Sequence, residues 1–278
     1  MTVETLRFDN LTPYLLLKNG NYLYKVPFRD GWAVVKVYYG SRSRRQTLVK
    51  SFENVVLAGQ SSYMPLTRLR VERDCLSVWR KHGFRVYDTF EDVVIEAPQC
   101  PPGGYTVFEY RDGPKLFSYL GDASIGEDER FETYRRFLRE WSRRHDLAIE
   151  ERDPRLVHEN GDGKHVMIFD DGFLWFDFEM VWLNRSRIAE HVSHEILQYI
   201  WQMSKSLPPE LRPRLLAETV AGYPVRDRLE EAWRLFLAHR RPVRRLARYL
   251  DRTLRARSQK PTSKYAIARS LRAQLESG

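Results

Sequence analysis

Apolar and polar positions along the first 40 residues fall into short runs separated by turn chemistry. Residues 14–18, 22–28 and 32–38 are the runs, and Asn19-Gly20-Asn21 and Arg29-Asp30-Gly31 stand between them. Asn-Gly and Asp-Gly tolerate the positive φ that tight hairpins demand, so the pattern predicts a three-stranded antiparallel meander. Residues 41–67 read as an irregular connection with a basic start. Residues 68–82 have a helical period that stops at Gly83, a residue suited to closing a helix in the left-handed conformation. Strand-like runs follow at 84–87, 93–97 and 105–110, with a Pro- and Gly-rich turn over 98–104.

After Arg111-Asp112-Gly113 the period changes. Residues 129–145 place Phe131, Tyr134, Phe137, Leu138 and Trp141 on one helical face. Apolar runs at 166–169 and 173–178 flank the turn Asp170-Asp171-Gly172, and helical patterns occupy 188–203, 210–220, 225–239 and about 243–257. The expectation is an α+β chain in two lobes: a β-rich N-terminal lobe with one helix (1–110), a hinge near 109–113, a mostly helical lobe (111–239) and a basic helical extension (240–278).

Composition narrows the class. With 278 residues, 42% hydrophobic and 30% charged, the chain has the make-up of a soluble globular protein. No run of about 18 apolar residues is present, and the N-terminal stretch lacks a basic and an apolar segment, so neither a membrane span nor a secretory signal is expected. Cys75 and Cys100 have no metal-ligand spacing and read as reduced thiols, with a cytoplasmic location. Of the +9 net charge, residues 240–278 carry 12 Lys/Arg and 2 Asp/Glu, leaving 34 basic against 35 acidic elsewhere. A concentrated basic tail suits an anionic membrane surface. Only Tyr249 and Tyr265 offer base stacking there, which disfavours nucleic acid.

The candidate chemistry is that of phosphoryl transfer. This needs a cation on the phosphates, a carboxylate that fixes it, metal ligands and a group beside the acceptor hydroxyl. Lys36 lies in Ala33-Val34-Val35-Lys36-Val37-Tyr38 on the third strand, the place of the V-A-I-K lysine. Glu72 shares a helical face with Cys75, Leu76 and Trp79, from which a carboxylate reaches across a sheet. Asp177 ends an apolar run in Phe176-Asp177-Phe178-Glu179, where poor solvation calls for a cation. His158, a catalytic candidate, opens His158-Glu159-Asn160-Gly161-Asp162-Gly163-Lys164-His165, 19 residues before Asp177.

In the order and spacing of these residues, 10–235 resembles the protein-kinase-like superfamily, and in particular small bacterial atypical kinases such as the lipopolysaccharide-core sugar kinases and the Rio-type kinases. The resemblance implies ATP held between two lobes, with Gly20 in the phosphate-covering turn and the backbone around Phe108, Glu109 and Tyr110 at the adenine. Lys36 binds phosphates, Glu72 orients it and Asp177 binds Mg²⁺ or Mn²⁺, joined by His165, whose other reading is a packing histidine. Three departures stand out. No G-x-G-x-x-G precedes Lys36, Asn160 and His165 stand where an aspartate base and a metal-binding asparagine belong, and Glu179 replaces the glycine of Asp-Phe-Gly. Asn160, or Asp162 on a flexible loop between Gly161 and Gly163, would then position the acceptor. Without an extended activation segment after Phe178, a sugar or glycolipid hydroxyl of cell-envelope lipopolysaccharide is the expected acceptor, met at the cytoplasmic side of the inner membrane. The alternative is a pseudokinase, a nucleotide-binding or regulatory scaffold without transfer.

Overall fold

The computed structural model describes residues 3–39, 42–238, 249–250 and 253–277. The chain is α+β, as the sequence pattern predicts, and divides into two compact units: Met1–Asp112 with Trp175–Leu183, and Gly113–Leu174 with Asn184–Gly278.

The first unit is built on the predicted meander. β2 (Leu15–Lys18), β3 (Tyr22–Phe28) and β4 (Gly31–Val37) are consecutive antiparallel strands, and β7 (Tyr105–Glu109) completes the sheet in the order β2-β3-β4-β7. Lys36 pairs with Leu23 on one side and Thr106 on the other, which fixes it in a central strand. Alternate residues Tyr24, Val26, Phe28, Ala33, Val35, Val37 and Val107 form the core of this unit with Leu11 and Ile95. A short parallel pair, β1 (Glu4–Arg7) with β6 (Val93–Glu96), covers a region in which the sequence pattern showed only the second strand.

The irregular connection expected over 41–67 is instead largely helical. α1 (Arg44–Phe52) runs into a π-helical stretch (Glu53–Ala58). Its apolar residues face outward, so the inward-facing periodicity used to find helices is absent. α2 (Pro65–Lys81) starts three residues earlier than its periodicity suggests, because Pro65 at its first turn is compatible with a helix start. It ends where Gly83, at φ 73°, lets Phe84 N–H reach the Trp79 carbonyl at 2.9 Å. β5 is only Arg85–Val86.

The second unit is mostly helical. α3 (Leu116–Gly121), too short for periodicity to reveal, precedes α4 (Glu127–Glu151). The predicted face of α4 is the core: Phe131, Tyr134, Phe137, Leu138 and Trp141 are all fully buried. β8 (Val166–Phe169) and β9 (Gly172–Trp175) are neighbours across the Asp170–Asp171 turn. The apolar run expected to continue as strand to 178 stops at Trp175, since Asp177 takes φ 75°, which no strand accommodates. α5 (Ile188–Ser206), α6 (Arg212–Gly222), α7 (Arg226–Leu237) and α8 (Lys264–Ser277) follow. The basic helix expected over 243–257 lies largely outside the described residues. Residues 264–277 are not a free extension: Tyr265, Ile267, Ala268, Leu271 and Leu275 are buried, and α8 packs on α5, α6 and α7. Cys75 and Cys100 are buried free thiols. Among the described residues no helix is long and apolar enough to cross a membrane.

Candidate functional site

The chain leaves the first unit after Asp112 and returns at Trp175, which brings five charged side chains together within that unit. Lys36 on β4 and Glu72 on α2 are both buried, and Lys36 Nζ donates to Glu72 Oε1 at 2.9 Å. The helix reaches this strand because Leu69, Leu76 and Trp79, on the same face as Glu72, are buried with it. Tyr38 Oη donates a short hydrogen bond to the other oxygen of Glu72. Glu72 is therefore fixed at both oxygens.

Asp177 and Glu179 arrive on the segment Trp175–Leu183. Asp177 Oδ1 is 3.7 Å from Lys36 Nζ, and Glu179 Oε1 is closer, at 2.6 Å. The conformation of Asp177 is unusual. Only three non-glycine residues among those described have positive φ: Arg29 in a hairpin turn, Arg152 closing α4, and Asp177. Asp177 ends no helix and turns no hairpin. It is pinned because its neighbours cannot move: Trp175 and Phe178 are buried and their rings lie 5.5 and 4.5 Å from that of Trp79. Packing thus holds a carboxylate that is one-third exposed in a backbone conformation that non-glycine residues rarely adopt.

Arg68 is the second cation of the cluster, one helical turn before Glu72. Almost wholly buried, it donates from Nη1 to Glu179 Oε2 at 2.8 Å and to Asn21 Oδ1 at 2.6 Å, and from Nη2 to the Tyr38 carbonyl at 2.7 Å. Asn21 in turn donates to Glu179. The turn carrying Gly20 is thereby tied to the segment carrying Asp177. Gly20 itself has φ 77°, which glycine adopts without strain, and a Cβ there would sit 2.8 Å from Tyr63 Oη.

Three carboxylates share two cations. Burial pulls the Lys36 ammonium toward its neutral form, but Glu179, Glu72 and Asp177 outweigh it and hold its pKa well above the usual lysine value. Glu72 is pushed up by burial, against the pull of Lys36, and Glu179 adds to the rise. The surplus negative charge lies beside Asp177, the most exposed of the three.

Among the described residues no group of three or more His, Cys, Asp or Glu could hold a metal alone. Asp177 and Glu179 are oxygen donors with an unbalanced charge. Mg²⁺ characteristically takes one or two carboxylates and fills its remaining positions with water and phosphate oxygens. The residues present thus fit a Mg²⁺ ion that arrives with a phosphate, and do not fit an all-protein cage.

At the expected adenine position, Glu109 N–H is already donated to the Asp88 carbonyl at 3.0 Å, and Glu109 Oε1 accepts from Asp88 N–H at 3.1 Å. The Tyr110 ring lies 3.8 Å beneath Lys25 Nζ.

The remaining sequence candidates belong to the helical unit. His158 is 1% exposed, its N–H donates to Glu195 Oε2 at 2.7 Å and its Nδ1 lies 2.8 Å from Tyr199 Oη. It is enclosed and anchors the loop through these two contacts. Asn160 is exposed. Asp162 is not on a flexible loop, as its flanking glycines suggested. It is buried and caps the turn Gly163–His165 by accepting from Lys164 N–H at 3.1 Å. The glycines serve close packing: a Cβ on Gly161 would lie 2.5 Å from the Tyr199 ring, and one on Gly163 3.2 Å from Met203. His165 is buried, its ring 5.7 Å from that of His158.

These anchors converge on Glu195, a fully buried carboxylate on α5. It accepts from Trp141 Nε1 at 2.8 Å and from Arg144, also fully buried, and lies 3.5 Å from His145 Nε2. Arg144 also donates to the Leu156 carbonyl at 3.0 Å. Burial opposes ionisation of Glu195, yet Arg144 and His145 prevail and bring its pKa down to about 2. Sequence reading missed Arg68, Glu179 and Glu195 as organisers. The available signal was a charged residue at an inward helical position: Arg68 precedes Glu72 by one turn, and Glu195 precedes Ile196 and Tyr199 on the buried face of α5.

No protein-family model matches this chain, and no curated protein does. Among solved structures, the Rio2 kinase from Chaetomium thermophilum, in its ADP/Mg²⁺-phosphoaspartate complex, is similar at 13% identity over 93% of this chain and 69% of that one, with a TM-score of 0.38. That superposition is too loose to equate individual residues.

Proposed function

We propose that this protein is an ATP-dependent phosphotransferase of kinase-like type with an atypical active site. The observation that carries the reading is the Lys36–Glu72 ion pair beside a conformationally constrained Asp177. A lysine held by a helix carboxylate would present its charge to α- and β-phosphates, and Asp177 would be the acid that holds the divalent ion accompanying them. When bound, Mg²⁺ offsets the charge on the transferring phosphoryl group. Lys36 supplies a fixed cation, Glu72 keeps it aimed, and Arg68 and Asn21 hold Glu179 and the Gly20 turn in register. Exposed Asn160 is placed in solvent's reach, where an amide orients an acceptor hydroxyl without taking its proton. The stretch between Phe178 and α5 is short, which favours a sugar or glycolipid hydroxyl, as in lipopolysaccharide, over a protein acceptor.

A second reading, nucleotide binding without transfer, is favoured by Glu179. It lies nearer Lys36 Nζ than Asp177 does, 2.6 against 3.7 Å, and competes with phosphate for the ammonium. Thermal stability of the purified protein with and without ATP, in Mg²⁺ and separately in Mn²⁺, tests the nucleotide site. A ligand at about 100 times its Kd adds about 2.7 kcal/mol, a shift of several degrees. A metal-dependent shift is expected; no shift with either metal refutes both readings. Transfer is then assayed by ATP turnover in the wild type and in Asn160→Asp. Activity only in the variant selects the scaffold reading; activity in the wild type selects the enzyme.

A further inference from the structure

α1 and the π-helical stretch after it are inverted relative to an ordinary surface helix. The positions facing the body of the unit are polar: Ser51 and Asn54 are buried, and Thr47 and Lys50 are half-buried. Leu48, Val49, Phe52, Val55, Val56 and Leu57 face solvent, from 42% exposed at Val55 to 71% at Leu57. Six neighbouring apolar side chains on one exposed strip exceed the scattered apolar surface of ordinary proteins and indicate an interaction face.

The strip is not loosely attached. Ser43 and Gln46 form a reciprocal capping box at its start, and Gly59, at φ 69°, ends it. Beyond Gly59 the chain is bound to the segment that carries Asp177 and Glu179, through Ser61 N–H to the Val181 carbonyl at 2.8 Å and Leu183 N–H to the Gly59 carbonyl at 2.9 Å.

The charge around the strip identifies its partner. Arg42, Arg44 and Arg45 are exposed at its start, while the half-buried Lys50 is paired with the segment's single acid, Glu53, at 3.5 Å. Arg44 and Arg45 occupy the first helical turn, where the helix dipole repels cations. Folding does not favour them there, whereas an anionic partner does. Two copies of this face would bring like charges together, which argues against self-association. An apolar strip with Phe and Leu, bordered by Arg and Lys, has the composition of a helix that lies in the interface of an anionic bilayer.

We propose that residues 42–58 form an interfacial membrane-docking helix that seats the first unit on anionic lipid. This goes beyond the nucleotide reading and is independent of it, and it uses residues other than the basic 240–278 segment.

The test is co-sedimentation of the full chain with phosphatidylcholine vesicles, with and without phosphatidylglycerol. Binding is expected only with the anionic lipid. Arg44→Ala with Arg45→Ala should weaken it about 30-fold, about fivefold per cation, and Phe52→Ser with Leu57→Ser at least about tenfold. All four side chains are exposed, so the variants should keep wild-type melting, which is measured alongside. A Phe52→Trp reporter should shift to shorter wavelength on anionic vesicles only. Three results overturn the proposal: no binding to anionic vesicles; binding unchanged by both α1 double variants but lost with Arg244→Ala and Arg245→Ala; or a dimer in solution that Phe52→Ser with Leu57→Ser converts to monomer without loss of lipid binding.

Discussion

Replacing Lys36 by Met removes the cation that three carboxylates share while keeping the bulk of its aliphatic stem. Glu72, nearly inaccessible to water, would keep only the Tyr38 hydroxyl, and Arg68 alone would remain on Glu179. Removing one partner of a buried ion pair costs about 3–5 kcal/mol, which for a chain of this size lowers Tm by roughly 6–12 °C. The loss should depend on pH. In the wild type Lys36 has its pKa raised above the unfolded value, so its contribution is complete below about pH 10.5 and fades only as pH rises past the folded value. In the variant, Glu72 has a folded pKa raised further above its unfolded value. Its folded form then binds the extra proton, and stability falls as pH rises from about 4.5 toward that raised pKa. Urea denaturation at pH 5 and pH 8 reads both quantities, and adding Glu72→Gln should recover much of the loss at pH 8. A Lys36→Met protein as stable as wild type at pH 8 would refute the network.

Three further outcomes follow from other sites. Asp177→Gly relieves the positive φ, so it should keep or raise stability by about 1 kcal/mol while abolishing metal-dependent stabilisation by ATP, read by thermal melting. His145 is buried neutral with a pKa lowered to about 4, chiefly by burial and against Glu195. Because the unfolded chain takes up its proton near pH 6.5, stability should fall as pH drops from 6.5 to 4, by up to about 3 kcal/mol. Glu195 adds a further loss between pH 4.5 and about 2, and His145→Gln should flatten the upper window in urea titrations. Gly161→Ala drives a methyl group into the Tyr199 ring and should cost about 1–3 kcal/mol in chemical denaturation.

Much of this was legible in the sequence because the signals were local. Turn glycines marked the β2–β3–β4 meander, and a buried stripe marked α4. The helix 44–58 escaped because it turns its apolar side to water, reversing the signal by which amphipathic helices are found. Lys36, Glu72 and Asp177 were readable from order and spacing, and the structure brings all three together. Glu179 was read as a missing glycine, yet it bridges Lys36 and Arg68. That role depends on a contact across 111 residues of sequence, which no local pattern encodes. Asp162 was misread for a related reason: flanking glycines suggest freedom, whereas here Tyr199 and Met203 occupy the space a side chain would need.

The central claim, that the Lys36 cluster holds a nucleotide through a divalent ion, is tested most directly by calorimetric titration of ATP into the full chain with Mg²⁺ and with a chelator. The account predicts one site that binds with Mg²⁺, weakens in chelator, and is lost in Lys36→Ala and in Asp177→Gly proteins that remain folded. ATP binding that persists unchanged in both variants, or no binding of ATP in Mg²⁺, would contradict it.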